Sequence, residues 1–261
     1  MELELENVRR PVRQLRKLLK GLAANASVQE VHDLRTRARR VEAIAGMEIA
    51  GGGRARRRVV KALKPLRKAA GVVRDMDVLA ARARTLVGRG CDDSVAALVE
   101  ALRARRVEGA RELAAAAKED GAEARARLKE FARRIEKRAR AGEDTDAAVK
   151  LMDELSGWPA FSAENLHAFR IKVKELRYVL QLTGAADARF VRALEKVKAR
   201  IGDWHDWLEL RRIVGEVQGR GALLKVIEGI EGERLKRALT AARGLRARYL
   251  GPHRGGVVGE V

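Results

Sequence analysis

The chain has 261 residues, with 56 Lys and Arg against 36 Asp and Glu, for a net charge of +20. That excess repels itself in the compact state unless anions offset it, so it points to a polyanion, an acidic membrane surface or a ribosome-like setting. Cys91 is the only cysteine, which excludes an intramolecular disulfide and a thiolate zinc site, and no apolar run approaches the roughly 20 residues that cross a bilayer.

The N-terminal stretch MELELENVRRP lacks the apolar segment of a signal peptide, so a cytoplasmic protein is expected. Ala, Leu, Arg, Lys and Glu dominate, and β-branched alternation is almost absent, which predicts an all-α fold. Eight helical segments follow in chain order. The first covers 6–24. The second, 28–46, opens on the capping box Ser27-x-x-Glu30 and stops before Gly51-Gly52-Gly53. The third covers 54–88, with Pro65 expected to kink or divide it. The fourth starts after Asp92-Asp93-Ser94 and reaches 140, with a break expected at Gly121. After the joint AGEDTD come a fifth helix over 145–156, a sixth over 163–183 capped by Ser162, a seventh over 187–218 and an eighth over 222–250. The tail, 251–261, is expected to be disordered.

Two stretches repeat a pattern. VHDLRTRARR (31–40) and LHAFRIKVKELRY (166–178) match at one constant spacing: His32 with His167, Arg35 with Arg170, Arg37 with Lys172 and Arg39 with Lys174. LKPLRKAAGVVRDMD (63–77) and LEKVKARIGDWHDWL (194–208) match at a spacing one helical turn shorter. There Arg67 pairs with Lys198, Gly71 with Gly202, Arg74 with His205 and Asp75 with Asp206. The reading is an internal duplication, two copies of one four-helix unit over about 5–142 and 143–250, in a single domain spanning 5–250.

An α-helix turns about 100° per residue, which places His32, Arg35 and Arg39 on one stripe and Leu34, Ala38 and Val41 on the opposite face. His167, Arg170, Lys174 and Arg177 form the second stripe, with Phe169, Val173, Leu176 and Leu180 opposite. Lys64, Arg67, Lys68 and Arg74 give the third helix a neighbouring one, and the small Gly71 and Gly202 are expected to let helix backbones approach closely. Clustered cations repel each other, so their assembly makes sense when phosphates lie between them; Arg offers forked donors and Lys a compact charge. Arg9, Arg13, Arg16 and Lys20 add a secondary basic track on the first helix, and Arg54 to Arg58 read as a solvated face. Asp75 and Asp206 are expected to orient Arg or His by hydrogen bonds rather than to hold metal, and Trp204, Trp207 and Tyr178 to sit in the core or at its margin.

Taken together, VHDLRTRARR, LRKAAGVVRDMDVL, LHAFRIKVKELRYVL and VKARIGDWHDWLEL resemble the CHAD family, the conserved-histidine α-helical domain. The resemblance implies two four-helix bundles related by a pseudo-twofold axis, with basic residues around a central groove. It implies binding of inorganic polyphosphate, with no catalysis, no cofactor and no metal. Carried over by position, the binding candidates are His32, Arg35, Arg39, Arg40, His167, Arg170, Lys174 and Arg177, followed by Lys64, Arg67, Lys68 and Lys198. Glu42 stands where Arg177 does in the second copy, and Glu175 where Arg40 does in the first, so the ladders are not equivalent. Members are often fused to a CYTH triphosphate-processing domain, whereas this chain is expected to be a stand-alone copy, cytoplasmic and drawn to polyphosphate granules.

Two other functions compete. The same cations would attract nucleic acid, although 3% aromatic residues leave few stacking platforms. A metal-dependent phosphohydrolase, or a phosphotransferase with a histidine acceptor, needs a metal and a positioned nucleophile, and no Walker loop or HExxH is present.

Overall fold

A computed structural model describes residues 5–22, 26–46, 52–139, 147–183 and 187–251. The expected tail beyond Gly251 and the joint AGEDTD fall outside these residues. Every regular element described is an α-helix: α1 Leu5–Gly21, α2 Val28–Gly46, α3 Gly52–Arg84, α4 Asp92–Ala139, α5 Ala147–Ser156, α6 Ala163–Thr183, α7 Ala188–Gln218 and α8 Ala222–Tyr249.

Starts are fixed by local chemistry. The Ser27 backbone N–H donates to Glu30 Oε2 at 2.8 Å while the Glu30 N–H donates to Ser27 Oγ at 3.2 Å, a closed capping box on α2. Before α6, the Ser162 N–H donates to Asn165 Oδ1 at 3.1 Å. Asp187 caps α7 by accepting from the Arg189 N–H at 2.7 Å. Between α3 and α4 the chain reverses through Gly88 and Gly90, both at positive φ (82° and 77°), where a side chain would be strained.

Neither helix is divided. α4 runs 48 residues unbroken past Gly121, and α3 runs 33 residues with Pro65 inside it. A mid-helix glycine costs about 1 kcal/mol and a proline about 3 kcal/mol. Burial on both sides offsets them: Leu113, Ala124 and Leu128 flank Gly121, and Leu63 and Leu66 flank Pro65, each nearly or fully inaccessible.

Within the first half, α1 packs on α2 and α4, and α3 packs on α2 and α4. In the second, α6 packs on α5 and α7, and α7 on α8. Between the halves, α2 meets α6 and α3 meets α7, like against like, an arrangement compatible with the expected duplication. The apolar interior does not divide where the expected repeats would. A large core draws on all eight helices. A smaller one joins the α3–α4 hairpin tip (Leu79, Leu86, Leu98) to the α7–α8 tip (Ile213, Leu223, Ile227).

Candidate functional site

Because α2 lies on α6, the two cation ladders converge. Lys174 carries the clearest mark of it: burial, and then the charges of Arg170, Arg39, Arg35 and Lys198, push its pKa down from 10.5 to about 7. Arg170 is drawn further in. Burial foremost holds its pKa down, and Nε donates to the Lys198 carbonyl at 3.2 Å. Its guanidinium lies directly over Gly202, where a Cβ would stand 2.8 Å from Nη2. Gly202 thus makes room for an arginine. Gly71 faces open space, with nothing within 4 Å of a Cβ built there, so no helix packs closely against it.

Carboxylates hold several of the cations in place. Arg35 Nη1 donates to Asp75 at 2.8 Å, Arg67 Nε to Glu42 at 2.6 Å, and Arg39 lies 3.4 Å from the other Glu42 oxygen. Glu195 pairs with Lys198 and stands 3.2 Å from Arg177 Nε. Lys174 has no carboxylate within ion-pair distance among the described residues. Glu42, one of the two departures between the ladders, therefore neutralises its own copy, whereas Glu175 sits 3.6 Å from Lys172. Asp75 acts as expected, and Asp206 lies 3.6 Å from Arg82, which also bonds Asp203 at 2.7 Å. Burial raises the Asp206 pKa against the pull of Arg82. Among the described residues, no group of three or more His, Cys, Asp and Glu is placed to hold a metal ion.

The histidines differ between copies. His32 is exposed at the start of α2, its pKa lowered by partial desolvation and then by Arg74. His167 packs against His205 of α7 with ring centroids 4.3 Å apart and the rings tilted by 48°, and both Nδ1 atoms are buried without a hydrogen-bond partner. Burial, then His205, Arg170 and Lys174, push His167 down to about 4, so the ring is neutral at physiological pH. It shapes the site without adding charge.

Beyond Arg39 and Lys174 the cluster opens into a groove of about 600 Å³ between α2, α3, α5 and α6. Arg56, Arg57 and Lys172 join its lining, a contribution that a solvated-face reading of 54–58 does not anticipate. Tyr178 is 7% exposed, as a core-margin residue should be, yet its ring forms a wall of this groove. Arg177 stacks on that ring at 4.7 Å. Other candidates lie elsewhere: Lys64 and Lys68 are exposed on α3 away from the groove lining. On the α1 track, Arg9 is committed to Glu136 and Arg13 to Glu6, both at 2.8 Å, with Arg16 half-buried and Lys20 exposed. Arg40 turns towards α1.

Fold and site together define an all-helical protein, among the described residues, whose two histidine–cation helices, α2 and α6, meet. The CHAD domain family model matches residues 6–214, and the chain belongs to that family. Among solved structures, the crystal structure of the CHAD domain from the plant Ricinus communis is similar in fold, at a TM-score of 0.61 and 18% identity over 95% of this chain and 89% of that one. A comparison with curated proteins found no match. No described helix is long and apolar enough to cross a membrane.

Proposed function

We propose that the chain is a non-catalytic module that binds inorganic polyphosphate, acting in the cytoplasm, with the two repeats each contributing one ladder. One observation carries the reading: four cations from three helices, Arg35, Arg39, Arg170 and Lys198, gather around a Lys174 with no carboxylate of its own. A phosphate chain, with a charge on every unit, supplies the missing counter-charge along the whole line. Hydrogen bonds to a charged partner contribute about 1.5–3 kcal/mol each, enough for tight binding without covalent chemistry.

The test is calorimetric titration with long-chain polyphosphate beside duplex DNA of equal phosphate content, at about 150 mM salt, near the physiological screening regime. Saturable and much tighter binding of polyphosphate is expected. Joint replacement of Arg35, Arg39, Arg170 and Lys174 by Ala abolishes it while leaving the helical signal intact. Equal affinity for DNA, or full affinity in the quadruple variant, would move the protein to a generic basic surface.

A further inference from the structure

Arg40 belongs to the stretch VHDLRTRARR but not to the cluster that the ladders form. It lines a separate pocket of about 240 Å³ between α1, α2 and α6, together with Arg10, Gln14, Pro11, Tyr178 and Leu182. A single water needs about 10–15 Å³ of such space, so the pocket has room for a small organic molecule. No carboxylate lines it. The Arg40 Nε is buried without a hydrogen-bond partner, and its guanidinium carbon stands 6.0 Å from the Tyr178 ring centroid. Arg10 reaches the same space from an exposed position on α1, with no carboxylate paired to it among the described residues. Along one wall, Asn7 Nδ2 donates to the Gln181 carbonyl at 3.4 Å.

The half-buried Arg40 guanidinium has no acid beside it and a buried Nε without a partner, and the group that satisfies such a donor is an anion. Two guanidiniums present forked donors suited to a carboxylate or a phosphate oxygen pair. Buried Pro11 and Leu182 add apolar surface that a bare inorganic ion would not use. We propose that this pocket binds a small organic oxyanion, its head held by Arg40 and Arg10 and its body against Pro11, Leu182 and Tyr178. The site is independent of the polyphosphate reading, since Tyr178 stands between it and the groove and no ladder residue besides Arg40 lines it.

Benzoate, phenyl phosphate and benzyl alcohol serve as probes, titrated into the full chain and followed by calorimetry. One or both acids bind at one site per chain and benzyl alcohol does not; the tighter acid tells a carboxylate ligand from a phosphate ester. Arg40→Met weakens that binding about tenfold or more, the loss expected for a charged hydrogen-bonding partner. Arg10→Gln weakens it several-fold, and because Arg10 is exposed this variant decides the matter even where Arg40→Met lowers the melting temperature. The double variant Arg39→Gln/Lys174→Met, which damages the ladders, binds the acids as the wild type does. The proposal is overturned by no saturable binding of either acid, by benzyl alcohol binding as tightly, or by a loss confined to the ladder variant.

Discussion

Lys174 ties the site to pH. Its pKa is lowered from 10.5 to about 7, so the folded chain gives up this proton far more readily than the unfolded one. Between those values the unfolded chain holds a proton that the folded chain releases, so this lysine's contribution to stability rises with pH across that window. Binding a phosphate chain has the opposite effect: it restores the charge, takes up a proton, and weakens as pH climbs from about 7 towards 10. Affinity measured from pH 6.5 to 9.5 should show that decline in the wild type and a flatter profile in Lys174→Met; an unchanged profile would place the titrating group elsewhere. The two matched glycines give a second prediction. Gly202→Ala pushes a Cβ into the Arg170 guanidinium and should lower polyphosphate affinity several-fold. Gly71→Ala meets nothing and should raise stability by about 0.5–1 kcal/mol in thermal melts. Residue types and spacing make the ladders readable in the sequence. What opposes each residue is not readable: the Gly71–Gly202 match hides an arginine over one and open space over the other, and His167 owes its neutrality to burial and to His205 on another helix.

Helix starts are legible because they are local. Ser27 with Glu30, Asn165 for the Ser162 N–H, and Asp187 satisfy backbone donors within a few residues of themselves, and the Ser27 box and a start at Ser162 are readable from the sequence alone. Interruptions are not local in the same way. Whether Gly121 or Pro65 breaks a helix depends on the burial of neighbours against other elements, which the sequence around them does not display. The join between α7 and α8 is a similar case. Glu231, 9% exposed, accepts from Trp204 Nε1 at 2.8 Å and lies 3.3 Å from Arg211, a charge in the core margin that periodicity alone would assign to solvent. Removing it strands the indole N–H, so Glu231→Ala should cost about 1–3 kcal/mol in denaturant unfolding, with Glu231→Gln keeping part of that stability. Equal stability of wild type and Glu231→Ala would mean that water replaces the carboxylate without loss.

At the scale of the whole molecule, the charge of +20 and the convergent ladders make separable contributions. Every phosphate neutralised adds to the salt dependence of binding, by about 0.7–0.9 in log K per log salt for nucleic acids. Each single replacement of Arg35, Arg39 or Arg170 should therefore reduce the slope for polyphosphate by roughly 1. A slope that does not move would show that the remaining surface carries the attraction. The all-α class and the order of helices are evident from composition and periodicity; the partition of the interior is not, since which hairpin tip meets which is a matter of tertiary packing. That partition has a consequence for inheritance. Leu86 and Leu98 of one half share their core with Ile213, Leu223 and Ile227 of the other, so a change of volume on either side is answered by residues across the boundary. Whatever their origin, the halves are not free to drift apart one at a time: each is the selective environment of the other.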